Sequence, residues 1–161
     1  MSEEGRHEFD FIFGRWHVHN RKLVDQTDPL CEEWVEFEAS SEAFPVLNGF
    51  GHVDRIYADD AIDSDPFEGF TLRLFDPRGG TWKIWWSSTR VPGQLDPPVE
   101  GRFRDRHGIF ECEDEIAGRP VVVRFEWLVD NPEAPRWQQS FSYDAGQTWK
   151  LNWTMAFSPA S

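Results

Sequence analysis

Phe11-Ile12-Phe13-Gly14-Arg15-Trp16-His17-Val18-His19-Asn20 holds the change of rhythm on which the fold turns. Before Gly14, Phe9, Ile12 and Phe13 stand at i, i+3, i+4, the spacing of one helical turn over residues 7–13. After Gly14 the chain alternates, and a Gly-x-Trp step opens a first strand near 15–23. A short apolar turn ahead of such a strand is placed to plug the end of a barrel.

Outward from this point the pattern repeats. Further strands are expected near 32–39, 49–57, 68–76, 81–88, 99–105, 108–115, 119–129, 135–143 and 148–157. Turn chemistry separates them: Asp76-Pro77-Arg78-Gly79-Gly80, Arg106-His107-Gly108, Ala117-Gly118-Arg119-Pro120 and Asn131-Pro132-Glu133-Ala134-Pro135. Short connections imply sequential hairpins, and a meander of about ten strands escapes exposed edges most simply by closing. The expected fold is all-β: a single antiparallel up-and-down barrel domain over residues 1–161, with a short N-terminal helical turn.

The faces follow from period two. Val121, Val123, Phe125 and Trp127 share one face of their strand, and Trp137, Gln139, Phe141 and Tyr143 one face of the next. Trp149, Leu151, Trp153, Met155 and Phe157 share a face in the last strand. Two strands read both ways. Trp34, Glu36 and Glu38 oppose Val35, Phe37 and Ala39, while Trp82, Ile84 and Trp86 oppose Lys83, Trp85 and Ser87. An aromatic strip on the outside as well as the inside suggests a homodimer interface.

Composition narrows the partners. The net charge of −13 argues against nucleic acid and against an anionic membrane surface. The start of the chain lacks a secretory pattern, and no apolar run reaches the ~20 residues that span a bilayer. Cys31 and Cys112 fit no Cys-x-x-Cys spacing, so a reducing, cytoplasmic setting is expected. The aromatic share of 16%, with nine tryptophans, suits a core or a concave binding site.

Phe11-x-x-Gly14-x-Trp16 resembles the opening of the calycin superfamily, the lipocalin and fatty-acid-binding-protein barrels. The likeness extends through Asn20-Arg21-Lys22-Leu23 to Arg136-Trp137-Gln138-Gln139-Ser140-Phe141-Ser142 and Asn152-Trp153. The chain is most similar to small bacterial calycin-like proteins of unassigned function, distantly similar to nitrobindin. The resemblance implies a barrel that binds a small molecule, with Trp16 plugging the floor and stacking on a basic residue from a late strand. Arg124 is the candidate for that partner. Nitrobindin holds haem through a late histidine, whereas the last histidine here is His107, so no cofactor is expected.

Ser142-Tyr143-Asp144-Ala145-Gly146-Gln147-Thr148-Trp149 matches the Ser-x-Asp-x-Gly-x-Thr-Trp "Asp box". One copy in a short chain reads as a hairpin in which Asp144 accepts backbone N–H groups, not as a glycosidase. His17 and His19 share a face and, with Glu36 or Glu38, have metal-ligand spacing. An inward Trp16 turns both outward, so surface histidines are expected instead. The acidic run from Asp59 to Pro66 lacks the Gly and terminal Glu of a calcium loop.

The aromatic lining carries the functional expectation. Trp34, Trp82, Trp86, Trp127, Trp137 and Trp153 are expected to wall a pocket, with Asn20, Glu36, Arg55 and Gln139 as its polar groups. The segment Ser40 to Asn48 is the expected mouth loop. Three functions fit: a barrel binding a small apolar or aromatic molecule, a cyclase, isomerase or dehydratase using an interior carboxylate or arginine, and a solid-core dimeric interaction protein.

Overall fold

The computed structural model describes residues 3–59 and 65–160. The part of the acidic run from Asp60 to Ser64 lies outside the described residues. Ten strands follow one another: β1 (Gly14–Leu23), β2 (Trp34–Val46), β3 (Gly51–Ala58), β4 (Phe67–Asp76), β5 (Thr81–Ser88), β6 (Val99–Arg104), β7 (His107–Ile116), β8 (Arg119–Leu128), β9 (Arg136–Ser142) and β10 (Lys150–Pro159). Each pairs antiparallel with its chain neighbour, and β1 pairs with β10 to close the barrel. Val18 stands opposite both Phe157 and Ala39, so the first strand is bonded on both edges. Among the described residues no helix is long and apolar enough to cross a membrane.

A single 3-10 turn, Asp10–Ile12, precedes β1 and fills one end. Phe9 and Ile12 are fully buried there. Phe9 packs edge-on against Trp82 and Phe103, with ring centroids 5.3 and 5.0 Å away. The indole of Trp16 donates a 2.7 Å hydrogen bond to the Ile12 carbonyl, and that of Trp82 donates to the Gly5 carbonyl at 3.0 Å. Trp16 therefore anchors the plug, as the first stretch implies. Its ring neighbour is Phe157, not a basic side chain. Arg124 lies on the outer face, 3.8 Å over the Trp149 ring and paired with Glu111. The expected Trp16–Arg124 stack is absent because the alternation of β8 turns Arg124 away from the interior.

Two polar groups sit near the floor. Arg73 on β4 and Asp54 on β3 are 2% and 8% exposed, and Arg73 Nη2 donates to Asp54 Oδ2. The guanidinium also lies over the Phe9 ring at 4.9 Å. His52 is wholly buried among Phe9, Phe13 and Trp82, and among the described residues neither ring nitrogen has a hydrogen-bond partner, with Asp10 Oδ1 3.9 Å from Nε2. Burial, helped by the charges of Arg73 and His7, pushes its pKa down to about 3.

These groups set two measurable consequences. His52 stays neutral in the fold while the unfolded chain protonates near its ordinary value of about 6.5. Between those limits the unfolded state binds the extra proton, so stability falls as pH drops below about 6.5 and the loss levels off below about 3. Denaturant unfolding at pH 7 and pH 5 should show His52→Leu losing about 2 kcal/mol less than the wild type on acidification. Replacing Arg73 alone by Leu strands a buried carboxylate and should cost about 3–5 kcal/mol. Replacing Asp54 by Leu as well should recover most of that loss in the same assay.

Candidate functional site

The other end of the barrel is open. Strands β5 and β6 pair over only three residues, Trp82–Ile84 against Val99–Gly101, and then part. The connection between them crosses the gap, held where Ser87 Oγ donates to the Gln94 carbonyl at 2.6 Å and the Asp96 N–H donates to the Trp86 carbonyl at 2.9 Å. This connection and the turn after β1 form the mouth. Residues Ser40 to Val46, expected as a mouth loop, instead continue β2 at the plugged end. Pro45 is accommodated there because it is exposed near the end of the strand, where a missing N–H costs least.

Two adjacent chambers lie inside. An outer one of about 170 Å³ is bounded by Lys22, Phe37, Phe67, Trp86, Arg90 and Asp96, among others. An inner one of about 80 Å³ runs past Ser41, Thr71, Arg73, Trp127, Trp137 and Gln139. Gln26, Trp86, Asp96 and Trp153 border both. The walls are an aromatic series: Trp86 and Trp153 meet at right angles with centroids 5.9 Å apart, and Trp153 meets Trp137 at 5.5 Å. Gly69 makes room for Trp86, since a Cβ there would fall 2.0 Å from the indole.

Polar groups fix the walls. Trp153 Nε1 donates to Asn20 Oδ1 at 2.9 Å, and Gln139 Nε2 donates to Asn152 Oδ1 at 2.8 Å. Arg73 borders the inner chamber, and its Nε and Nη1 meet no acceptor from the described residues. At the mouth, Lys22 Nζ stands 5.1 Å over the Trp153 ring. Burial and the charge of Arg90 hold the Lys22 pKa below its ordinary value. Burial and Asp114 raise that of Asp96.

Seven of the ten expected site residues are thereby on the interior. Trp86, Trp127, Trp137, Gln139 and Trp153 border the chambers, Asn20 orients Trp153, and Trp82 is absorbed into the floor against Phe9. Trp34, Glu36 and Arg55 are on the outside. Arg21 covers the Trp34 ring at 4.1 Å, and Arg55 pairs with Glu68 at 3.0 Å. The inward face of β2 is instead Phe37, Ala39, Ser41 and Ala43. An enzyme built on Glu36 loses its position by this placement.

Glu36 and Glu38 meet the histidines on the exterior, as the inward Trp16 requires. His19 bonds Glu38 at 2.5 Å and Glu36 at 2.9 Å, while His17 bonds Glu38 at 2.6 Å. The hydrogen bond to Glu38, then that to Glu36, raises the His19 pKa. Among the described residues no group of His, Cys, Asp or Glu is arranged to hold a metal. Cys31 and Cys112 are free thiols.

The Asp box is a turn between β9 and β10. Asp144 accepts from the Thr148 hydroxyl at 2.6 Å, the Thr148 N–H at 2.8 Å and the Ser142 hydroxyl at 2.8 Å. These bonds pull its pKa down to about 2. Gly146 takes φ +90°, a value glycine adopts without strain.

Sequence reasoning missed Arg73, Asp54, Thr71, Ser41 and Lys22 as interior groups. Strict alternation along β4 from Phe67 and Gly69 to Thr71 and Arg73 was the available signal for two of them.

No family profile and no curated protein sequence matches the chain. Among solved structures it is similar to the crystal structure of Rv2717c from M. tuberculosis, at a TM-score of 0.66 with 100% of each chain covered. At 9% identity this likeness shows a shared barrel fold alone.

Proposed function

We propose that this protein is a calycin-like binding barrel for one small aromatic molecule, admitted through the open end. The observation that carries the reading is the buried Arg73, which borders a chamber walled by Trp127, Trp137 and Trp153 and whose Nε and Nη1 have no hydrogen-bond acceptor among the described residues. Unpaired buried donors are costly unless water or a bound acceptor meets them. A ligand with an aromatic body and a carbonyl, hydroxyl or similar acceptor answers both features. Size agrees, since a dry cavity of about 150 Å³ holds benzene. The outer and inner chambers, about 170 and about 80 Å³, suit one or two fused rings.

Titration with 2-naphthol should quench tryptophan fluorescence saturably at one site per chain. Thr71→Phe, which fills the inner chamber, should abolish the saturation while far-UV circular dichroism stays barrel-like. Native mass spectrometry of gently purified protein should show a non-covalent mass lost on denaturation. Linear quenching alike in both proteins, with no such mass, would refute the reading.

A homodimer is also favoured by one feature. Phe44, Val53, Leu72 and Trp85 are successive cross-strand neighbours on the outer face of β2 to β5. Phe44 is 51% exposed at the end of this apolar row. Light scattering should find a dimer, and Phe44→Glu should turn it into a monomer. A monomeric wild type would remove the dimer.

A further inference from the structure

The chain is strongly acidic, with a net charge of −13, yet its mouth is not. The outer chamber is bordered by two cations, Lys22 and Arg90, and by one carboxylate, Asp96. Arg90 turns to the rim, where it meets Asp65 at 3.5 Å. Lys22 has no such partner: among the described residues no carboxylate lies within ion-pair distance of its ammonium. Half-buried between the chamber and the Trp153 ring, it is the one lysine that borders the cavity among the described residues.

A buried or half-buried ammonium keeps its charge by gaining a counter-ion or a set of acceptors. Here Arg90 adds repulsion, and Asp25 opposes it from a distance. The deep end of the cavity differs. Arg73 is already paired with Asp54, so its remaining donors call for a neutral acceptor and not a second negative charge. The aromatic wall formed by Trp86 and Trp153, which meet edge to face, lies between these two polar ends, beside the Lys22 ammonium.

We propose that the ligand is an aromatic monoanion, its ring in the chamber bordered by Trp86 and Trp153 and its carboxylate or equivalent anionic group at the mouth on the Lys22 ammonium, a specification that rests on the aromatic-binding function proposed above. The ring enters first and the charge remains nearest to solvent, so desolvation of the anion is partial.

Calorimetric titration with 6-hydroxy-2-naphthoate and with 6-hydroxy-2-naphthamide, which share size, shape and a hydroxyl for the Arg73 end but differ in charge, tests this directly. The wild type should bind naphthoate about tenfold or more tightly than naphthamide, the scale of one charge-assisted hydrogen bond. Lys22→Met should lower naphthoate affinity to that of naphthamide, and Lys22→Arg should keep the preference. Equal affinities in the wild type, or a preference that survives in Lys22→Met, would overturn the assignment and leave aromatic binding standing. Binding of neither compound would overturn the binding function and this specification together.

Discussion

Closure between β1 and β10 is the constraint on which everything else depends. Once the last strand bonds the first, no edge is left to attract another chain, and every strand has one face with nowhere to go but inward. A closed ring of ten strands encloses more room than small side chains can fill. The chain fills the floor with large rings: Phe9, Trp82, Phe103, Phe110 and Trp127 interlock around the N-terminal turn. It leaves the far end incompletely filled, where β5 and β6 part. The cavity is thus what remains when one end of a closed sheet is plugged and the other is not.

Charge follows the same division. The outer surface carries carboxylates paired with Arg55, Arg124 and the histidines of β1. The interior holds few ionisable groups, and each is handled differently: Arg73 by pairing with Asp54, His52 by staying neutral, and Lys22 by a tryptophan face. A low-dielectric interior makes each of these choices consequential, because an ion left alone there loses the solvation it had in water.

The fold was legible in the sequence because period two is a local signal that survives without tertiary information. All ten strands lie within a few residues of where alternation and turn chemistry place them, apart from β2, which runs on to Val46. The site was only partly legible. Period two breaks in β10, where a register shift between Leu151 and Trp153 leaves Asn152 as an extra residue. Asn152 is buried against Gln139, while Trp149, expected inward with Trp153, lies under Arg124 outside. Nothing in the local pattern announces a bulge, since it is fixed by the partner strand. Glu36 and Trp34 are expected inward because a tryptophan stands on the face opposite Val35, Phe37 and Ala39, and only the pairing with the neighbouring strands settles which face is inside. Arg73 and Asp54 look like surface residues in isolation; their burial depends on finding one another across β3 and β4.

Gly69 gives this architecture a simple handle on the shape of its cavity. The indole of Trp86 occupies the space where any other residue at 69 would place its first carbon. The position of the Trp86 wall is therefore governed from a neighbouring strand, by an atom that is missing. Enlarging position 69 in steps would displace Trp86 and reshape the chambers it borders, while the floor, the closure and the mouth charges stay as they are.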